Sequence, residues 1–159
     1  MKILGIDPGF HVTGYGIIEK VRGKQVHILH GEIRLPRNEI LSGGVMRIHI
    51  KLVEIIQEYH PQALAVEDIF YGKNIKSLIK QAHVRGVTIL TGAEEGVPVF
   101  EYSPLEVKSA VVGYGRAEKF QVQKMIQAIL SLPEPPPADA SDALAVAICH
   151  MNFQKGIPV

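Results

Sequence analysis

The first third of the chain has the composition and alternation of β-strands. The segments KILGID (2–7), VTGYGIIEK (12–20) and QVHILHGEIRL (25–35) are rich in β-branched residues, and the connections between them are short enough for hairpins. The turn VRGK (21–24) joins the second segment to the third. We therefore expect three antiparallel strands in this part of the chain.

From Ser42 the apolar residues recur every three or four positions, which is the spacing of one face of an amphipathic helix. The pair His60–Pro61 marks the end of this segment, because proline cannot continue a helix. The apolar positions of the predicted helix are Val45, Ile48, Leu52, Ile55, Ile56 and Tyr59.

The remainder of the chain alternates predicted helices with short apolar strands. The strands are ALAVE (63–67) and GVPVFEY (96–102). Helices are predicted from Asn74, with Ile75, Leu78, Ile79 and Ala82 on one face, over PLEVKSAVV, from Glu118 to Leu130, and over ADASDALAVAICHM after the prolines of LPEPPP. This order predicts an α/β fold in which a mixed five-stranded sheet has helices on both faces.

Length and composition indicate one globular domain over residues 1–159. The 159 residues are 47% hydrophobic, which is enough for one core and too few for two ordinary domains. The formal net charge is +1, so nucleic-acid binding would have to come from locally clustered lysine and arginine side chains. Cys149 is the single cysteine, which is typical of a reducing compartment. No run of about 18 apolar residues occurs, so we expect a cytoplasmic protein without a membrane segment.

Acidic residues end two of the apolar strands. The strand KILGI runs into Asp7, and the strand ALAV runs into Glu67. If these strands are parallel neighbours, both carboxylates leave the same edge of the sheet. The last predicted helix adds Asp139 and Asp142, whose i, i+3 spacing places them on one side of that helix.

Four carboxylates at one edge of a sheet stay ionised only if a cation compensates their charge. Oxygen ligands without histidine or cysteine favour Mg²⁺ or Mn²⁺ over zinc. The seven histidines have no zinc-binding spacing such as HExxH. The sequence therefore predicts a divalent-metal site built by the four acids.

Each acid also has an ordinary structural explanation. Asp-Pro-Gly at 7–9 favours a turn, and Asp139 with Asp142 follows a proline run in the way of a helix N-cap and a first-turn acid. Capping does not explain why two separate strands end on acids. We therefore prefer the metal site, which depends on the assumed order of the strands.

Four segments, in this order, resemble those of the RuvC family of bacterial Holliday-junction resolvases: GIDPGFHVTGYGII, AVEDIFYGKN, VKSAVVGYGRAEKFQV and ADASDALAVAICH. The resemblance covers nearly the whole chain. It implies an RNase H-like fold and a homodimer that cuts four-way DNA junctions with an acidic tetrad and Mg²⁺ or Mn²⁺. Carried onto this sequence, it implies that the catalytic metal ligands are Asp7, Glu67, Asp139 and Asp142, and none of these positions departs from the family pattern.

The chemistry implied by the resemblance is hydrolysis of a phosphodiester bond with two metal ions. One ion would activate the attacking water and the other would stabilise the leaving 3′ oxygen, at a separation of roughly 4 Å. We expect Asp7 to bridge the two ions. Opposite strands would be nicked symmetrically to give 5′-phosphate and 3′-hydroxyl ends, and branch-migration proteins of the RuvA and RuvB type are the expected partners.

Four further residues are expected to contact DNA. Lys108 and Lys119 match family positions near the scissile phosphate and would supply salt-dependent affinity. The family pattern implies that Phe70 stacks on unpaired bases at the branch point, and Lys73 lies in the same segment. The sequence leaves open the roles of five other basic residues, for which a solvated helix face is the ordinary explanation: Lys76, Lys80, Arg85, Arg116 and Lys124.

Three other functions would also account for part of these sequence features. The Asp-Pro-Gly strand end with its Gly-rich hairpin also resembles actin-like ATPases and sugar kinases, but these need a second similar domain, for which 159 residues leave no room. An RNase H-like nuclease acting on RNA shares the fold, and the segments around Phe70 and Lys119 argue against it. A junction-binding module without catalysis would lack an acid, and all four are present.

Overall fold

Ten secondary-structure elements follow one another in the order that the sequence predicts. The structure is a computed structural model and describes residues 1–69, 74–153 and 158–159. Its elements are β1 (Lys2–Asp7), β2 (Val12–Val21), β3 (Lys24–Arg34), α1 (Leu41–Tyr59), β4 (Ala63–Glu67), α2 (Ile75–Glu94), β5 (Val99–Tyr102), α3 (Pro104–Val112), α4 (Lys119–Ile129) and α5 (Ala138–Phe153). None of the helices in this part of the chain is long and apolar enough to cross a membrane.

The five strands form one mixed sheet in the order β3-β2-β1-β4-β5. Strand β1 pairs with β2 in antiparallel fashion and with β4 in parallel fashion, and β4 is parallel to β5. Ile6 of β1 lies beside Val66 of β4. The predicted mixed five-stranded sheet is therefore confirmed, and the two strands that end on acids are parallel neighbours.

Helices cover both faces of the sheet, as predicted. Ile3 belongs to the apolar cluster that includes residues of α3, α4 and α5. Leu4 and Ile6 belong to the cluster that includes residues of α1 and α2. Successive side chains of a strand point to opposite faces, so β1 contributes to both halves of the core.

Glycine residues allow α5 to lie directly on β1 and β2. Gly5 pairs with Gly16, and Asp7 pairs with Gly14, across the two strands. A Cβ atom added at Gly14 would overlap the carbonyl oxygen of Asp139, and one added at Gly5 would overlap the carbonyl oxygen of Ala143. The absence of side chains at these positions lets the helix backbone approach the sheet closely.

Helix α2 forms where predicted, but its predicted apolar face is not part of the core. Ile75 and Ile79 are 61% and 53% exposed. The residues of α2 that are buried lie on the opposite side of the helix: Val84, Thr88, Thr91 and Gly92. Hydrophobic spacing detects an apolar stripe, but it does not determine what covers that stripe.

Strand β5 is shorter than the predicted 96–102 segment. It begins at Val99: Gly96 has a left-handed backbone conformation, with φ +68°, the N–H of Val97 donates to the carbonyl oxygen of Gly92, and Pro98 has no N–H for strand pairing. A residue with positive φ does not continue an extended strand.

Candidate active site

The structure brings the four predicted acids to one edge of the sheet. Asp7 and Glu67 lie at the carboxyl ends of β1 and β4, which are parallel neighbours. Asp139 and Asp142 lie near the start of α5, and the backbone of Asp139 packs against Gly14, the residue that pairs with Asp7. The close contact between α5 and the sheet therefore places both of its acids beside the two strand ends.

The pKa of Asp7 records this crowding of carboxylates. It is raised from 3.8 to about 8, mainly by burial and then by the negative charges of Glu67, Asp142 and Asp139, against a lowering by Lys119. Asp7 is thus influenced by all three other acids. A carboxyl group in such a place ionises readily only when positive charge is brought to it.

The pKa values of Glu67 and Asp142 are also raised. Burial is the main cause of the rise to about 7 at Glu67, followed by the charge of Asp142, while the ammonium groups of Lys119 and Lys108 lower it. Burial likewise raises the pKa of Asp142, against the lowering effects of the same two lysines. The fields of these two lysines therefore reach the acids, as expected for residues close to the site.

Lys119 has a direct contact with an acid. Its Nζ lies 3.2 Å from Oδ2 of Asp142, and its side chain is 78% exposed. The charge of Asp142 is the main reason why the pKa of Lys119 is raised. Lys119 is thus positioned both to pair with Asp142 and to meet an anion arriving from solvent.

The donor set fits a hard divalent cation. All four side chains offer carboxylate oxygens, which suit Mg²⁺ or Mn²⁺. In the described ranges 1–69, 74–153 and 158–159, no three His, Cys, Asp or Glu side chains are already arranged as a metal-binding group. Because burial and mutual repulsion raise the pKa values here, positive charge is what would draw these carboxylates together.

The ordinary structural explanations account for one of the four acids, because Asp139 lies in the first turn of α5, where a carboxylate is favourable. Asp139 is the second residue of α5 and Asp142 the fifth, so neither precedes the helix as an N-cap does. The turn after β1 is closed by Thr13, whose hydroxyl donates to the carbonyl oxygen of Gly9. That turn therefore does not need the Asp7 side chain.

Two clefts meet at the acids. The first, here called the β1 cleft, has a volume of about 420 Å³, and residues that line it include Asp7, Phe10, His11, Lys76, Lys80 and Asp139. The second, here called the α3 cleft, has a volume of about 200 Å³, and residues that line it include Glu67, Pro104, Lys108, Lys119, Val122 and Asp142. Each cleft is thus bordered by two of the four acids and by two lysines.

Phe70 and Lys73 lie outside the described residues, so their expected DNA contacts stay predictions. The Lys124 ammonium lies 5.6 Å from the centre of the Phe120 ring, and Arg116 is exposed.

Sequence reasoning left Arg85 without a role. Its guanidinium forms ion pairs with Asp68, at 3.7 Å, and with Glu101. Asp68 directly follows Glu67, and its carboxylate also accepts a hydrogen bond from the backbone N–H of Ile69. Arg85 thereby ties α2 to the ends of β4 and β5. An isolated arginine in a helical segment gives no sequence signal for these partners.

Gly14 was missed as well, although a signal existed. Glycine inside a strand weakens it and often marks close approach of another backbone. The segment VTGYGII carries two such glycines, but only the register of β1 with β2 reveals that one of them faces Asp7.

Comparison with known proteins identifies the family. The family model "Crossover junction endodeoxyribonuclease RuvC" matches residues 3–150. A curated relative of that name from Geobacter metallireducens is 50% identical over 152 residues, which cover 96% of this chain and 93% of the relative. Another, from Syntrophomonas wolfei, is 51% identical over 156 residues, which cover 98% and 91%.

Solved structures agree with this assignment. The structure of Thermus thermophilus RuvC has a TM-score of 0.88 at 33% identity, with 97% of this chain and 95% of that chain covered. The same protein in complex with a Holliday junction substrate has a TM-score of 0.91 at 33% identity, with 97% and 94% covered. The fold is accordingly RNase H-like, as expected. This chain belongs to the RuvC family of crossover junction endodeoxyribonucleases.

Proposed function

We propose that this chain resolves four-way DNA junctions by hydrolysing one phosphodiester bond in each of two opposite strands. As a member of the RuvC family, the chain is a nuclease. The observation that carries the proposal is the meeting of four carboxylates at the carboxyl ends of β1 and β4. The relative from Thermus thermophilus that is bound to a Holliday junction has the same fold over nearly the whole chain, which supports the choice of substrate.

Asp7, Glu67, Asp139 and Asp142 would hold the metal. The RuvC family consists of metal-dependent nucleases, and we propose two Mg²⁺ ions per site, with Mn²⁺ also supporting activity. Such ions supply a nucleophilic water and neutralise charge on the phosphate. Asp7 is the proposed bridging ligand, because its carboxyl group alone has a pKa raised by the charges of all three other acids.

Lys108 and Lys119 would contact the DNA backbone at the phosphate that is cut and at the phosphates next to it on the side of the α3 cleft. Both lysines line the α3 cleft beside Glu67 and Asp142. An exposed ammonium that already lies against the acids can contact a phosphate oxygen while the carboxylates bind cations. Cleavage would leave a 5′-phosphate and a 3′-hydroxyl group, which a ligase can join.

A homodimer would place two sites on the nearly two-fold symmetric junction. Support comes from an exposed, uncharged row of residues along α2, here called the α2 stripe: Ile75, Ile79, Ala82, Gly86, Leu90 and Ala93. These residues recur at intervals of three and four and so occupy one side of the helix. A self-complementary stripe with small residues at its middle suits packing against the same helix of a second copy.

Domain organisation, protein partners and localisation are also part of the proposal. We propose that residues 1–159 form a single domain, that branch-migration proteins of the RuvA and RuvB type act with it, and that it works in the cytoplasm. Residues on both sides of the sheet contribute to two apolar clusters that share the strands, which supports the single domain.

The experiment that tests the function offers purified protein four labelled substrates with Mg²⁺. These are a four-way junction, a linear duplex, an RNA–DNA hybrid and a structured RNA. We expect paired nicks at symmetric positions in the junction and no cleavage of the other substrates. Cleavage of the hybrid or the RNA would instead favour an RNA nuclease. Binding of the junction without any nick would indicate a junction-binding module.

A further inference from the structure

We propose that the β1 cleft is a second binding subsite for the DNA backbone, in which Lys76 and Lys80 hold phosphates on the side of the cleavage point opposite to Lys108 and Lys119. This inference rests on the proposed function. It assigns a role to two lysines that the sequence leaves without one.

The first observation is the division of the acids between the two clefts. Asp7 and Asp139 border the β1 cleft, whereas Glu67 and Asp142 border the α3 cleft. A phosphate held above the acids therefore has one cleft on each side. A strand that is cut at this point must extend in both directions along its backbone, so both clefts lie on its path.

The second observation is that each cleft carries two lysines. Lys108 and Lys119 lie in the α3 cleft, and Lys76 and Lys80 lie in the β1 cleft. Lys76 and Lys80 are four residues apart at the start of α2, so they stand on the same side of that helix. Positive charge is thus available on both sides of the acids.

The third observation is that Lys76 and Lys80 have no carboxylate partner among the described residues. In the part of the chain that the structure describes, neither ammonium forms an ion pair, whereas Lys119 is paired with Asp142. The Lys80 ammonium lies 5.1 Å from the centre of the Phe10 ring, another residue of the cleft. Two neighbouring like charges on a helix repel each other, and an anion between them relieves that repulsion.

The other residues of the cleft suit a phosphodiester. Ser77, Gln81 and His11 offer neutral hydrogen-bonding groups within the same cleft. Lys76 belongs to the first turn of α2, where the helix dipole favours negative charge. A volume of about 420 Å³ is in the range of small-ligand sites. The ligand class is therefore the phosphate backbone of the substrate strand.

The test combines lysine variants with junctions that carry one neutral methylphosphonate at a chosen position. Positions on both sides of the cleavage point are scanned with the wild type, with the Lys76→Gln/Lys80→Gln double variant and with Lys108→Gln. Lys51→Gln is the matched control, because Lys51 is exposed on α1, outside both clefts, and pairs with Glu54. Single-turnover cleavage and junction affinity are measured, and thermal unfolding checks that each variant folds.

We expect the double variant to lose about tenfold in affinity or rate, as for removal of a charged contact. On one side of the cleavage point, a neutral methylphosphonate should lower the affinity or rate of the wild type by a similar factor. The same substitution should cause no further loss in the double variant. Lys108→Gln should lose its sensitivity to phosphates on the other side only. Lys51→Gln should respond to every substitution as the wild type does.

Two results would overturn the subsite. In the first, the loss of affinity or rate caused by the double variant multiplies with the loss caused by each neutral methylphosphonate, at every position. Such independence would mean that Lys76 and Lys80 contact none of the scanned phosphates. The other is coupling of the double variant to the same phosphates as Lys108. Failure of the proposed function gives a different result, because the wild type would then bind the unmodified junction without cutting it. The affinity measurements would still test the subsite.

Discussion

The two faces of the sheet are covered in different ways. On one face, α5 lies against glycines of β1 and β2, and every residue from Ala143 to Met151 is buried. On the other face, α1 and α2 pack over larger side chains such as Leu4, Ile6 and Ile17, and α2 buries only one narrow side. A helix buried all round is held entirely within its own chain, whereas a helix with two apolar sides leaves one of them for another partner.

This difference matches the tasks of the two faces. The proposed site needs Asp139 and Asp142 at a fixed position relative to Asp7 and Glu67, and the tight contact of α5 with Gly14 provides it. The exposed side of α2 carries the α2 stripe, which is the proposed contact between two copies. Packing within the chain thus sets the geometry of the proposed site, and the proposed dimer would form through the opposite face.

The largest effect is expected from Asp7→Asn, which breaks the site without touching the packing. Cleavage should fall by about three orders of magnitude or more, because the proposed bridging ligand of the metal ions loses its charge. Without metal, junction binding should stay intact near pH 7, where the raised pKa of about 8 keeps the Asp7 carboxyl group largely protonated, and should become slightly stronger at higher pH, where the ionised Asp7 of the wild type repels the phosphates. Glu58→Gln, an exposed acid on α1, is the control and should cut normally. Cleavage by Asp7→Asn at a near-normal rate would remove Asp7 from the site.

The next largest effect is expected from Gly14→Ala, which breaks the packing of α5. The new methyl group would overlap the carbonyl oxygen of Asp139, and overpacking of this kind typically costs about 1 to 3 kcal/mol in the free energy of unfolding. Cleavage should fall further than the folded fraction does, because the start of α5 carries two of the acids.

Gly86→Ala is the matched control for this prediction on the other face. A methyl group at Gly86 would meet no atom of another turn or element within 4 Å in the described part of the chain, so dilute protein should keep or gain stability through better helix propensity. Thermal unfolding and cleavage per folded molecule are measured for both variants. Normal stability and activity of Gly14→Ala would show that α5 does not need its close contact with β2.

The sequence is informative about the acids because their signal is local. Asp7 and Glu67 each follow an apolar run directly, so the strand and the acid at its end are recognised together. The roles of Gly14 and Arg85 depend on strand register and on ion pairs with Asp68 and Glu101. Such long-range contacts leave no periodic pattern in the sequence.

The faces of α2 illustrate a second limit. Its spacing predicts the helix correctly, but one apolar side lies on the sheet and the other is exposed. A pattern of residue types contains both sides and does not distinguish them. The division of the four acids between two clefts likewise could not be predicted from the sequence, because it depends on the positions of α2 and α3 relative to the sheet.

A smaller effect is expected from Leu90→Glu, which tests the α2 stripe. Leu90 is 54% exposed, so the variant should fold with little loss of stability, yet a charge in the stripe should convert a dimer to monomers. Leu105→Glu is the matched control, because Leu105 is similarly exposed but lies on α3. Analytical ultracentrifugation measures the mass of both variants. A dimer that survives Leu90→Glu and dissociates with Leu105→Glu would move the interface to the other face.

The smallest effect is expected from Lys119→Ala, which separates two roles of one ammonium group. The contact with Asp142, at 3.2 Å, could serve only to hold that acid, or the exposed ammonium could also bind a phosphate of the junction. A phosphate contact predicts weaker binding and a fall of about one unit in the slope of log affinity against log salt concentration. A purely internal role predicts slower cleavage with an unchanged slope.

Lys124→Ala is the control, because the ammonium of Lys124 lies over the Phe120 ring on the outer side of α4, outside both clefts. The salt slope of this variant should equal that of the wild type. We expect the lower slope for Lys119→Ala alone. Equal slopes for both variants would indicate that Lys119 only holds Asp142 in place and does not bind a phosphate.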